Sequence, residues 1–239
     1  MKKLIILTIT CIALLSACNT KGTKDTKNVK DATDLSELPK SDTLKIDFKP
    51  HWDMLLILTI MPDSITTNWK WTKQDRIDFR ESVQQHNYYV DTTLENGIIT
   101  KFNNDYIKSQ TAKGTFELSA YRIEDGHYVI LTKEKTKDEQ YFTTYELFRI
   151  GAVAVPEKEI IGDYRKHFLK DTTRMACFKI LDKNAKFDYD ITQPGKVHIR
   201  LRDVYKEETQ GCLNGNSIDL KFDKHVRPFV VEGIKWEEK

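Results

Sequence analysis

Three segments in the last third of the chain alternate apolar and polar residues one for one. Phe187, Tyr189 and Ile191 interleave with Asp188 and Asp190; Val197, Ile199 and Leu201 with His198, Arg200 and Arg202; Ile218, Leu220 and Phe222 with Asp219 and Lys221. Successive side chains of a strand point to opposite faces, so this period of two predicts half-buried antiparallel strands. Pro194-Gly195 and Asn214-Gly215 supply turns between them. A slip of one residue would expose the whole apolar set, so the pattern also predicts which side chains face inward. Phe229 to Trp236 reads as a final strand.

Strand signals begin earlier, from Gly97 onward. Phe116 to Ala120 alternates, Asp125-Gly126 reads as a two-residue hairpin turn, and Tyr128 to Thr132 as the returning strand. Tyr141 to Ile150 follows a charged turn at 133–139. Ahead of these lie two helical segments. Met54 to Met61 is nearly all apolar; a helix is favoured over a buried strand because Pro50 suits a first turn and Asp53 its N-terminal charge. Thr72 to His86 is the clearer helix. Thr72 and Asp75 form a capping-box start, with Ile77, Phe79 and Val83 on its apolar side and Arg76, Arg80 and Gln84 elsewhere. Leu44, Ile46 and Phe48 open the domain with a short strand pattern, and Gly151 to Pro156 is the best internal boundary. Both halves follow one plan, a helical or mixed opening and then an antiparallel meander. The fold class expected is α+β: β-rich, antiparallel sheets with one or two helices in the N-terminal half.

Residues 19–44 read as a tether. Val29, Leu35 and Leu38 are their main apolar residues, too few to offset the entropy of ordering. As a flexible coil they would reach roughly 25–30 Å. Before them, Lys2 and Lys3 precede an apolar run from Leu4 to Ala17 that ends in Leu15-Ser16-Ala17-Cys18. A basic start, a short apolar segment and small residues make a secretory signal peptide, and the run is short of the roughly 20 apolar residues of a membrane span. With Cys next, residues 1–18 resemble a bacterial lipoprotein signal. The resemblance implies cleavage after Ala17 and diacylglycerol on Cys18, usually with acylation of the new amino terminus. One chain binds membranes only marginally, so stable anchoring takes at least two. Asn19, where an inner-membrane retention signal has Asp, and the lack of an acidic run after it point to the outer membrane, facing the periplasm. A cell-surface position is the alternative.

Of the 38 Lys and Arg residues, Lys2 and Lys3 lie in the signal, leaving 36 to face 36 Asp and Glu. Such neutrality gives no basic excess for nucleic acid and no strong electrostatic attraction to lipid. The partners expected are the membrane, through the anchor, and an envelope protein or small ligand.

Catalytic motifs are absent: there is no G-x-S-x-G, H-E-x-x-H, Walker A loop or dinucleotide-binding glycine pattern. No cofactor is expected. Cys177 and Cys212 lack metal-ligand spacing; in an exported compartment they are either a disulfide or two separate thiols. Asp182-Lys183-Asn184 begins like a calcium loop, but Lys186 stands at the next ligand position. His198, Arg200 and Arg202 share the polar face of one strand, which is either an anion site or, as favoured, a solvated face. Trp52, Trp69 and Trp71 are either a ligand platform or, as favoured, packing around the first helix. Ile160-Ile161-Gly162-Asp163-Tyr164 is similar to the opening Gly-x-Trp strand of lipocalin-like barrels, and also fits a helix stacking Ile160, Tyr164 and Phe168. The reading is a non-enzymatic binding or interaction module; the alternatives are a lipocalin-like small-ligand barrel and an envelope hydrolase without a short motif.

Overall fold

The computed structural model describes residues 45–66, 71–91, 93–94, 97–111, 114–181, 185–209 and 211–238. Cys18, the signal, the tether, Trp69 and Asp182-Lys183-Asn184 lie outside them. The described residues form one compact unit. Lys45–Asp47 (β1) pairs antiparallel with Tyr89–Asp91 (β2). Between them run a 3-10 turn at Lys49–His51, helix α1 (Trp52–Ile60), a 3-10 turn at Asp63–Thr66 and helix α2 (Lys73–Gln85).

Helix α1 is apolar on most of its circumference, with Asp53 and Leu56 on the side left to solvent. Met54, Leu55, Ile57 and Leu58 are buried, and Leu56 is left exposed. Helix α2 starts as expected. Thr72 Oγ1 accepts from the Asp75 amide at 3.2 Å, and Asp75 Oδ2 accepts from the Thr72 amide at 2.7 Å, so two orphan donors of the first turn are satisfied reciprocally. Phe79 and Val83 are buried. Arg76 corrects the sequence expectation: it is fully buried on the core side, 0% exposed. A guanidinium carries five donors, and here they meet the Leu58, Met61 and Trp71 carbonyls, Thr66 Oγ1 and Asp63.

Seven strands then form one antiparallel meander, each paired to its chain neighbour: β3 (Thr93–Leu94), β4 (Gly97–Phe102), β5 (Tyr106–Thr111), β6 (Gly114–Glu124), β7 (His127–Lys135), β8 (Gln140–Phe148) and β9 (Gly151–Val155). Asp125-Gly126 turns β6 into β7, with Gly126 at φ 77° supplying the left-handed geometry. Short helices follow: α3 (Glu157–Ile161), α4 (Arg165–Phe168) and α5 (Met175–Phe178). The second meander is β10 (Phe187–Asp190), β11 (Lys196–Leu201), β12 (Ser217–Asp223) and β13 (Arg227–Lys235). The expected common plan of the two halves is present. The stretch read as an internal boundary is itself strand β9, and the chain leaves the first sheet at Pro156.

The seven-stranded sheet is the middle layer. Phe116, Leu118 and Ala120 of β6 pack with α1 and α2. On the other face Tyr121 of β6 and Val129 and Leu131 of β7 pack against Val197, Ile199, Leu201, Ile218 and Leu220 of the second sheet. Being covered on both sides, the sheet also buries polar groups. Ser119 Oγ donates to the Ile191 carbonyl at 2.7 Å, and the Tyr121 hydroxyl to that of Lys196 at 3.1 Å. Glu117 is buried between Lys133 Nζ, at 3.2 Å, and the Tyr106 hydroxyl, at 2.9 Å, which satisfies a carboxylate that would be costly alone. Burial, with Glu117 beside it, pushes the Tyr106 phenol far up.

All nine apolar residues of the alternating segments face inward; eight are buried and Phe222 is half-buried against the same core. Ile199→Ala should therefore lower the unfolding free energy by about 3 kcal/mol, from lost transfer energy and the cavity left. Arg200→Ala should stay within about 0.5 kcal/mol and His198→Ala, which removes one hydrogen-bonded partner of Asp219, near about 1 kcal/mol. Urea titration of the three variants checks this ordering.

The lipocalin-like expectation is corrected. Ile160 and Ile161 lie on helix α3, not a strand, and Ile160, Tyr164 and Phe168 are buried together. Among the described strands, both meanders run linearly from first to last, with no pairing of first to last. No helix among the described residues is long and apolar enough to cross a membrane.

Candidate functional site

The outer face of the second sheet gathers the charged residues singled out in sequence. Alternation along β11 turns His198 and Arg200 away from the core, and antiparallel register sets His198 opposite Asp219 of β12. His198 Nδ1 lies 2.6 Å from Asp219 Oδ1 and Nε2 lies 3.3 Å from Glu237 Oε2. Lys235 Nζ bridges the same two carboxylates at 3.2 and 3.1 Å. Arg200 donates to the Glu238 carbonyl at 3.1 Å, Arg202 Nε sits 3.3 Å from Asp188, and Lys196 Nζ 2.6 Å from Glu232. The basic row is thus matched, group by group, with acceptors of this chain. An anion would have to displace them, and the solvated-face interpretation of His198, Arg200 and Arg202 fits this pairing.

Two hollows open on this face. One, of about 220 Å³, is lined by Asp190, Gln193, Lys196, His198, Asp219, Lys235 and Glu237. The other, of about 580 Å³, runs past Arg200, Arg202, Tyr205 and Trp236. A histidine oriented by an aspartate can act as a base only if its second nitrogen faces a nucleophile. Here that nitrogen faces Glu237, and the smaller hollow's lining offers no hydroxyl or thiol. No His, Cys, Asp and Glu group suited to a metal occurs among the described residues.

Burial pushes the Asp219 carboxyl up, but hydrogen bonds from His198 and Lys235 outweigh it and hold the group below the ordinary carboxylate range. Glu237 is likewise pushed up by burial and held lower overall by Lys235, His198 and Arg200. The folded state therefore binds these two protons less tightly than the unfolded chain. Their stabilisation is present above the unfolded value of about 4 and is lost as pH falls through the lower folded values. Acid unfolding followed by circular dichroism should show a shallower slope below about pH 4 in Asp219→Asn/Glu237→Gln than in the parent.

Of the three tryptophans singled out in sequence, the described ones, Trp52 and Trp71, pack separately against neighbouring rings. Trp71 is buried beside Phe79, with ring centroids 6.1 Å apart. Trp52 is half-buried, edge-on to Tyr88 at 5.9 Å. Cys177 and Cys212 form a disulfide with Cα atoms 5.2 Å apart.

A second surface was not anticipated from sequence. Leu56 of α1 and Phe148 of β8 flank an apolar hollow of about 220 Å³, whose lining includes Ile57, Ile60, Tyr128 and Leu147. The neighbouring β8–β9 turn leaves Ile150 100% exposed, and Val153 on β9 is 59% exposed. Strand β9 ends the sheet, pairing with β8 alone among the described strands. The signal in the sequence is the run Ile150 to Pro156, which carries no charge; its bracketing Gly and Pro fit a boundary and a short strand alike.

No family model matches the chain, and no curated protein matches it. Among solved structures, a domain of an uncharacterized protein from Porphyromonas gingivalis W83 is similar, with a TM-score of 0.49 and 14% identity over 75% of this chain and 98% of that one.

Proposed function

We propose that this protein is a lipid-anchored envelope lipoprotein whose folded domain acts without catalysis, as an interaction module. Cys18 carries the anchor, residues 19–44 lift the domain off the bilayer, and the outer membrane, facing the periplasm, is its site. The observation that carries the interaction reading is the exposed apolar group of Leu56 and Phe148 around one hollow, with Ile150 on the adjoining turn. Large apolar side chains grouped at a surface mark protein contact sites more often than scattered ones do. The charged face of the second sheet supports the same reading, since its histidine is engaged by carboxylates on both sides.

Two measurements test this. Metabolic labelling with a fatty-acid analogue should mark the parent chain and not Cys18→Ala; label retained on the variant removes the anchor assignment. A photo-crosslinking amino acid at Ile150, activated in intact cells, should yield a discrete protein adduct. A probe at exposed Lys137, on the β7–β8 turn, should not, and equal labelling from both positions would count against the surface.

A further inference from the structure

We infer that the free edge of β9 pairs with β9 of a second copy of this chain, antiparallel and centred on Val153. This rests on the interaction reading and names the partner. An unpaired strand edge is a template for another strand, and proteins blunt such edges with charge, proline, bulges or shortness. The other sheet ends carry these defences. Strand β3 has two residues, β10 carries Asp188 and Asp190, and β13 carries Pro228, Glu232 and two register shifts against β12. Gly151-Ala152-Val153-Ala154-Val155 carries none, and Val153 and Ala154 are exposed.

The segment complements itself. Ala152-Val153-Ala154 reads the same in either direction, so antiparallel pairing about Val153 sets Val153 opposite Val153 and Ala152 opposite Ala154. From Ile150 to Pro156 no charge meets another. Outside this run the chain leaves the strand: Arg149 lies in the β8–β9 turn and Glu157 opens helix α3. Pro156 lacks an amide hydrogen and ends the pairing run. A contact of one strand falls below the standard interface size, so confinement of both copies to one membrane would raise its occupancy.

The test is cysteine crosslinking of the full mature chain in its native membrane. Directly opposed residues are close enough for a disulfide, whereas diagonal neighbours stand about 7–8 Å apart, beyond its reach. Under mild oxidation Val153→Cys should shift most of the chain to twice its mass. Ala152→Cys should remain at the parent's level, and Ala152→Cys/Ala154→Cys should link again. The parent chain, run beside them, reports any bridging through its own cysteines. Self-pairing is overturned if Val153→Cys links no more than the parent, or if Ala152→Cys links equally well. An Ile150 adduct to a different protein, with no crosslinked dimer of Val153→Cys, overturns self-pairing and leaves the interaction module standing; no adduct at all removes both.

Discussion

Arg76→Met should lower the unfolding free energy by about 3–5 kcal/mol, although methionine fills much of the same space. The Arg76 guanidinium ties together the end of α1, the turn that follows it and the approach to α2. Nε donates to the Leu58 carbonyl at 2.9 Å, Nη2 to that of Met61 at 2.6 Å and Nη1 to that of Trp71 at 2.6 Å. Nη1 also reaches Thr66 Oγ1 at 3.3 Å, and Nη2 reaches Asp63 at 3.2 Å. Leu58 and Met61 lie in the last turn and at the cap of α1, where carbonyls lack helical partners and favour a cation. Burial pushes the Arg76 guanidinium down, with Asp63 opposing. Removing it strips the Leu58 and Met61 carbonyls of their donor, each at a cost of about 1–3 kcal/mol, while the Trp71 carbonyl keeps Thr66 Oγ1 at 2.7 Å. Asp63 is largely solvated, so Asp63→Asn should cost less than about 1 kcal/mol. Urea unfolding of Arg76→Met, Arg76→Lys and Asp63→Asn separates the cases. A loss in Arg76→Met no larger than in Asp63→Asn would show that the salt bridge, not the carbonyl set, is what matters.

Arg76 also marks where sequence reasoning stopped. A period of two needs only neighbours in the chain, so β11 and β12 and their inward faces were legible. So was the α2 start, because a capping box is local. Arg76 looked like a surface residue because the carbonyls it serves lie up to 18 positions away. Glu117 and Ser119 are the polar half of the alternation in β6, and nothing local reveals a second sheet lying over them. The alternation at 116–120 was real, but both of its sides are buried. The His198 row was located correctly, yet its partner Glu237 lies beyond the final strand and comes alongside only through the folding of β12 onto β13. The apolar edge was hidden by the ambiguity of Gly151 and Pro156, which serve equally as a domain boundary and as the limits of a short strand.

Replacing Cys177 and Cys212 together by alanine should cost about 4 kcal/mol, close to the effect at Arg76. The bond spans 35 residues, and in the chain-entropy model a loop of that length restricts the unfolded ensemble by about that much. The loop contains β10 and β11, so the crosslink ties the helical opening of the second half to the turn that leads into β12. That turn is also held without the bond. The Lys170 amide donates to the Cys212 carbonyl at 2.8 Å, the Asn214 amide to that of Phe168 at 2.7 Å, and Leu169 bridges Leu213. These contacts belong to the folded state, whereas the entropic share acts on the unfolded one. The double variant should therefore keep its native circular dichroism and lose its stability mainly as a lower urea midpoint. Both cysteines are buried, so reductant should act slowly on the native parent and quickly once urea opens it. Parent unfolded under reductant should then match the double variant. If the variant instead lost less than about 1 kcal/mol, the turn contacts rather than the crosslink would hold this corner, and the loop-entropy account would fail here. Disulfides persist in oxidising compartments, so chain made in a reducing cytosol should show the variant's midpoint and recover the parent's on oxidation.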